Sequence, residues 1–112
     1  MKRSELVISR GAAKVLQAIY EFVMEADSEA QADDLLDRLE ALVGTLGLNP
    51  DRGSHPKELA NLGIQDYRQV ILKPYRIIYR VLGGKVVISL VADGRRDMTT
   101  LLAQRLLGGM SV

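Results

Sequence analysis

The chain has no cysteine, only three prolines and a single histidine. Without a thiol there is neither a disulfide framework nor a thiolate metal site, although that alone does not fix the compartment. Also missing is any apolar run near the roughly 20 residues that a bilayer-crossing helix needs. The start, Met1-Lys2-Arg3-Ser4-Glu5, carries an acid and leads straight into an alternating segment, unlike a secretion signal. A cytoplasmic protein with no membrane partner is expected. Charge of one sign is lacking too. Fifteen Lys and Arg against fourteen Asp and Glu leave +1, so overall charge does not advertise nucleic-acid binding.

What is present suffices for one compact domain spanning 1–112. With 47% hydrophobic residues the chain can bury a modest core, so a compact fold rather than disorder is expected. The charges are unevenly placed. Acids concentrate between Glu21 and Glu40, while arginine gathers at Arg68, Arg76, Arg80, Arg95, Arg96 and Arg105. Asp33, Asp34, Asp37 and Glu40 fall on the polar side of a helix and read as a solvated face, so no metal and no cofactor is expected.

Residues 4–9 are β-branched and aliphatic and read as a first strand. The period then changes to three- and four-residue steps. Ala12, Val15, Leu16, Ile19, Phe22, Val23 and Ala26 form one helical stripe, and Ala32, Leu35, Leu36, Leu39, Leu42, Val43 and Leu46 form a second. Between them, Ser28 and Gln31 have capping-box spacing, and Gly47 suits the end of the second helix. So short a break implies an antiparallel helical hairpin. Residues 48–65, with Asn49-Pro50, Arg52-Gly53 and His55-Pro56, read as an irregular connection holding one short turn around Lys57–Leu62.

Three strands are expected next, at Tyr67–Leu72, Tyr75–Leu82 and Lys85–Ala92, with Gly83-Gly84 supplying the positive φ of a two-residue hairpin turn. If Leu82 faces Lys85, the pairs Val81–Val86, Tyr79–Ile88 and Ile77–Leu90 share one face and pack on the helices. The other face then carries Arg80–Val87, Ile78–Ser89 and Arg76–Val91. A short leucine-rich helix begun by Asp97 and stopped by Gly108-Gly109 closes the chain. The fold class is therefore α+β: an N-terminal strand, a two-helix hairpin on an antiparallel three-to-four-stranded sheet, and a short C-terminal helix.

Three stretches carry a resemblance: Asn49-Pro50-Asp51-Arg52-Gly53 with Pro56-Lys57-Glu58-Leu59; Tyr67-Arg68-Gln69 with Pro74-Tyr75-Arg76-Ile77-Ile78-Tyr79-Arg80-Val81; and Asp93-Gly94-Arg95-Arg96-Asp97 before the leucines. In this order they resemble the RelE/ParE superfamily of bacterial type II toxins, over nearly the whole chain. The resemblance implies a cognate antitoxin partner in a hetero-oligomer. It leaves two branches open, since function lives in sites grafted on a fold. The RelE-like branch consists of ribosome-dependent messenger ribonucleases, and the ParE-like branch poisons DNA gyrase without a hydrolytic site.

RNA cleavage through the 2′-hydroxyl needs a proton acceptor, cations for the phosphate and a proton donor for the leaving oxygen. Arg76 and Arg96 match two arginines of the ribonuclease branch, and Arg68 falls where that branch often has lysine. The tyrosine position is Leu102, however, and a second strand lysine aligns with Val70. Aliphatic groups transfer no proton, which favours the ParE-like branch, with no catalytic residue expected. Arg68, Arg76 and Arg96 would be the catalytic set in the alternative. Candidates for toxicity or partner binding are Arg76, Arg80, Arg95, Arg96, Leu101, Leu102 and Arg105. An inactive antitoxin-binding module acting in autoregulation is the remaining reading. His55, in its Pro/Gly-rich loop, reads as a surface residue, Tyr75 and Tyr79 read as structural, and Tyr67 stays open.

Overall fold

A computed structural model describes residues 3–107. The first strand, β1 (Glu5–Ile8), ends at Ser9, whose extended backbone and side chain start α1 (Arg10–Ala26). Ser9 Oγ accepts the Ala12 N–H at 3.1 Å, satisfying one of the orphan donors of the first turn. Ser28 does the same for Gln31 at 3.1 Å and opens α2 (Glu29–Leu48). Gly47 does not end that helix as expected. It lies inside α2 against the entering chain, where an added Cβ would stand 3.3 Å from the Ser4 carbonyl oxygen, and its own carbonyl accepts the Ser4 N–H at 2.8 Å. This glycine serves a close approach rather than a stop.

One helical turn, α3 (Lys57–Ala60), precedes β2 (Tyr67–Leu72), β3 (Tyr75–Leu82) and β4 (Lys85–Asp93). The strand order is β1-β4-β3-β2. The sheet is mixed rather than wholly antiparallel as expected: β1 lies parallel to β4, because the chain returns to β4 only after a long crossover, while the other pairs are antiparallel. At the hairpin tip only Gly83 takes a positive φ, +61°.

From that tip the expected register holds for Leu82–Lys85, Val81–Val86, Arg80–Val87 and Tyr79–Ile88. A bulge then leaves Ser89 without a partner on β3, so that Ile78 pairs with Leu90 and Ile77 with Val91. One extra residue reverses side-chain parity. Leu90, expected beneath the helices, therefore points to the opposite side, and Val91 takes its place under the hairpin. Val81 also departs from expectation. It sits at the strand end beside the glycine turn and is 37% exposed.

The sheet is covered on both faces. Ile77, Tyr79, Val86, Ile88 and Val91 pack against Ala12 of α1 and Leu39 and Leu46 of α2. On the other side Tyr67, Ile78, Leu90 and Ala92 meet Leu59 of α3 and Met98, Leu101 and Leu102 of α4 (Met98–Leu102). Asp97 caps α4, accepting the Thr100 N–H at 3.2 Å, and a π-helical turn Ala103–Leu107 continues it. Gly108-Gly109, expected as the stop, lie outside the described residues. Among the described residues no helix is long and apolar enough to cross a membrane.

Candidate functional site

Several candidate residues are bound into the structure itself. Arg76 leaves the outer face of β3 and meets α3, where its two terminal nitrogens reach the two Glu58 carboxylate oxygens at 2.8 and 2.9 Å, while its Nε donates to Gln69 Oε1 at 2.8 Å. Both side chains of the ion pair are only 12% exposed. This fork–fork contact holds the Glu58 carboxyl well below the usual range, at about 2, chiefly through the hydrogen bonds from Arg76. The guanidinium thus anchors α3 to the sheet. Asp93 belongs to the exposed Arg95, and Asp97 to the cap of α4, where bonds from Thr100 lower its pKa.

Arg68 stands across from Tyr79, on the hairpin side, and donates to the carbonyls of Asp51 (3.2 Å) and Gly53 (2.8 Å). The Tyr79 hydroxyl joins the same loop, donating to the Pro50 carbonyl at 2.7 Å and accepting the Gly53 N–H at 3.0 Å. Burial raises the pKa of that phenol. An added Cβ at Gly53 would fall 2.6 Å from both the Gln69 carbonyl oxygen and the Tyr79 hydroxyl, so only glycine fits. His55 is tied in through Nδ1, 3.1 Å from the Tyr67 carbonyl oxygen. The loop 49–56 is thus a sewn-down edge, and its histidine is a structural contact. Leu102 is fully buried, and Leu101 and Tyr67 nearly so. The three arginines that RNA cleavage would require do not converge. Arg68 is on one face, Arg76 is consumed on the other, and Arg96 lies in the turn beyond β4.

The other candidates do come together. β1 accompanies β4 only to Ile88, whose carbonyl takes the Ser9 N–H at 2.9 Å before the chain turns into α1. Beyond that point Ser89–Asp93 has no strand on this side among the described residues. Along the open edge runs a groove of about 580 Å³, lined by Lys14 and Phe22 of α1, by Leu101 and Arg105 from the C-terminal helical turns, and by Tyr75, Arg95 and Arg96. Its acid, Asp93, is held at about 2 by bonds from Arg95 and so stays ionised and paired with that arginine, while Lys14, Arg96 and Arg105 leave the groove cationic. Sequence reasoning missed two contributors. Lys14 carries no sequence signal, and Phe22 was expected on the buried stripe but is 68% exposed. Adjoining the groove, a smaller recess gathers Tyr67, Arg80, Ser89 and Arg105.

This architecture has counterparts. The model of the ParE toxin of the parDE type II toxin–antitoxin system matches residues 6–98. The chain belongs to the ParE toxin family. Its fold is also similar to a solved structure described as a chromosomal ParDE TA system from P. aeruginosa, at TM-score 0.68 and 20% identity, covering 81% of this chain and 96% of that one. No curated protein matches it. Membership in the ParE family makes this a type II toxin, of the α+β architecture described above.

Proposed function

We propose that this ParE-family toxin acts by binding DNA gyrase and stalling it, and that a cognate antitoxin neutralises it in the cytoplasm. The carrying observation is the fate of the arginines: Arg68 and Arg76 hold the fold, and the buried Leu102 stands where a ribonuclease of the superfamily needs a proton-transfer group. General acid–base help is typically worth about 10²–10⁴-fold, so RNA cleavage without it is too slow to arrest growth. Binding needs only a complementary surface with a few strong anchors, for which arginine and aromatic residues are favoured. The groove beside Phe22, Arg95, Arg96 and Arg105 has that composition. Exposed Leu6, Ile8 and Phe22 give the antitoxin apolar surface to cover.

The test is the purified chain with gyrase and, separately, with translating ribosomes. Inhibited supercoiling or accumulated cleaved DNA, with messenger RNA intact, is expected. Ribosome-dependent cuts in messenger RNA with unchanged DNA topology would overturn the reading.

A further inference from the structure

Arg80 carries one buried donor, its Nε, that meets no acceptor among the described residues. The guanidinium lies 5.5 Å above the centre of the Tyr67 ring, its direct cross-strand neighbour, so the stem and plane are held in place. Burying a charged donor without an acceptor costs free energy, and such a group is stable only when something else recovers that cost. Around it the recess, about 390 Å³, holds a second cation, Arg105, and the hydroxyl residues Ser9 and Ser89, with no carboxylate in its lining among the described residues. Ser89 is the bulge residue, so the parity reversal that turns Leu90 over also marks where the recess meets the open edge of β4.

We infer that this recess receives a carboxylate, an Asp or Glu side chain carried by a segment of the antitoxin laid along the open edge at Ser89–Asp93. The inference rests on the antitoxin reading above and adds the site and chemistry of its anchor. Three features select an acidic peptide strand as the occupant. Past Ser89, whose carbonyl accepts the Ser9 hydroxyl at 3.3 Å, the edge has no strand beside it among the described residues and is open to strand addition, as extended peptides use elsewhere. The flanking cations Lys14, Arg96 and Arg105, which have no carboxylate partner among the described residues, complement negative charge. The planar guanidinium of Arg80 suits a carboxylate better than a lysine would.

The experiment co-expresses this chain with the product of the adjoining reading frame, purifies the complex, and measures Kd for the wild type, Arg80→Met and Arg105→Gln at several salt concentrations. Methionine keeps the packing over Tyr67 and removes the donors. A rise in Kd of about tenfold or more for Arg80→Met, with a shallower salt dependence, is expected, and a smaller rise for the more exposed Arg105. Thermal melting shows whether Arg80→Met remains folded, and if it does not, Arg105→Gln with the salt series decides. Binding of both variants within twofold of wild type overturns the recess while leaving the antitoxin reading intact. A wild-type chain that does not bind the product overturns the antitoxin reading, and the recess with it. Self-association of the isolated wild type, lost in Arg80→Met, would make a second copy the occupant and overturn the inference.

Discussion

The two faces of the sheet are held by different physics. Beneath the hairpin the contacts are aliphatic: Ile77, Val86, Ile88 and Val91 against Leu39 and Leu46, with Tyr79 the one member that reaches out to a polar partner. On the opposite face the apolar patch around Leu59, Ile78 and Leu102 is bordered by the Arg76–Glu58–Gln69 contact and by the Arg80–Tyr67 stack. A hydrophobic face tolerates changes of pH and salt, because its driving force is area removed from water. A face sewn by a nearly buried ion pair is stable only while both partners are charged and present. The groove lies at the open edge where the two faces meet, beside the polar one.

The largest effect that would break this contrast is expected from Arg76→Met. Leaving Glu58 nearly buried without its cation should cost about 3–5 kcal/mol in denaturant unfolding, whereas adding Glu58→Leu should recover much of it. If the double variant is as unstable as the single, the pair is not the cause. Leu102→Ala and Leu46→Ala, one on each face and both fully buried, should each cost about 2–5 kcal/mol. Unequal losses would show which layer collapses more easily around a cavity.

Acid separates the faces more sharply. Glu58 has a folded-state pKa of about 2, lowered from its ordinary 4.5, so its contribution is fully present above pH 4.5 and is lost as pH falls towards 2. That contribution is about 3 kcal/mol at most, since one pKa unit is about 1.4 kcal/mol. Melting temperatures measured from pH 5 to 2 should fall more steeply for wild type than for the Arg76→Met, Glu58→Leu double variant. Parallel curves would remove Glu58 from the account. Asp93 is also held at about 2, but its partner Arg95 is exposed and the pair contributes little. Smaller still, Ser9→Ala should cost about 1 kcal/mol through the lost α1 cap. A loss no greater than that of a neutral surface change would show that water replaces the serine.

Local patterns along the chain set the elements and most of the layering. Apolar spacing marked α1 and α2, Ser28 marked the start of α2, and Gly83-Gly84 fixed the β3–β4 register as far as Ile88. These are local rules, acting within one helical turn or one hairpin, and a chain must obey them wherever it folds. Tertiary structure decided the rest. Nothing in the alternation of Val87, Ile88, Ser89 and Leu90 announces the extra residue at Ser89, because a bulge is selected by what each face must pack against rather than by local preference. Arg76 and Glu58 are 18 residues apart, and Arg80 meets Tyr67 and Arg105 from three different elements. Such meetings depend on how layers stack, a non-local property that periodicity does not encode. The candidate site was therefore legible only in part: Arg95, Arg96 and Arg105 could be named as partner-binding candidates, but the groove they share with Lys14 and Phe22 exists only because β1 stops at Ile8 and leaves the rest of β4 open.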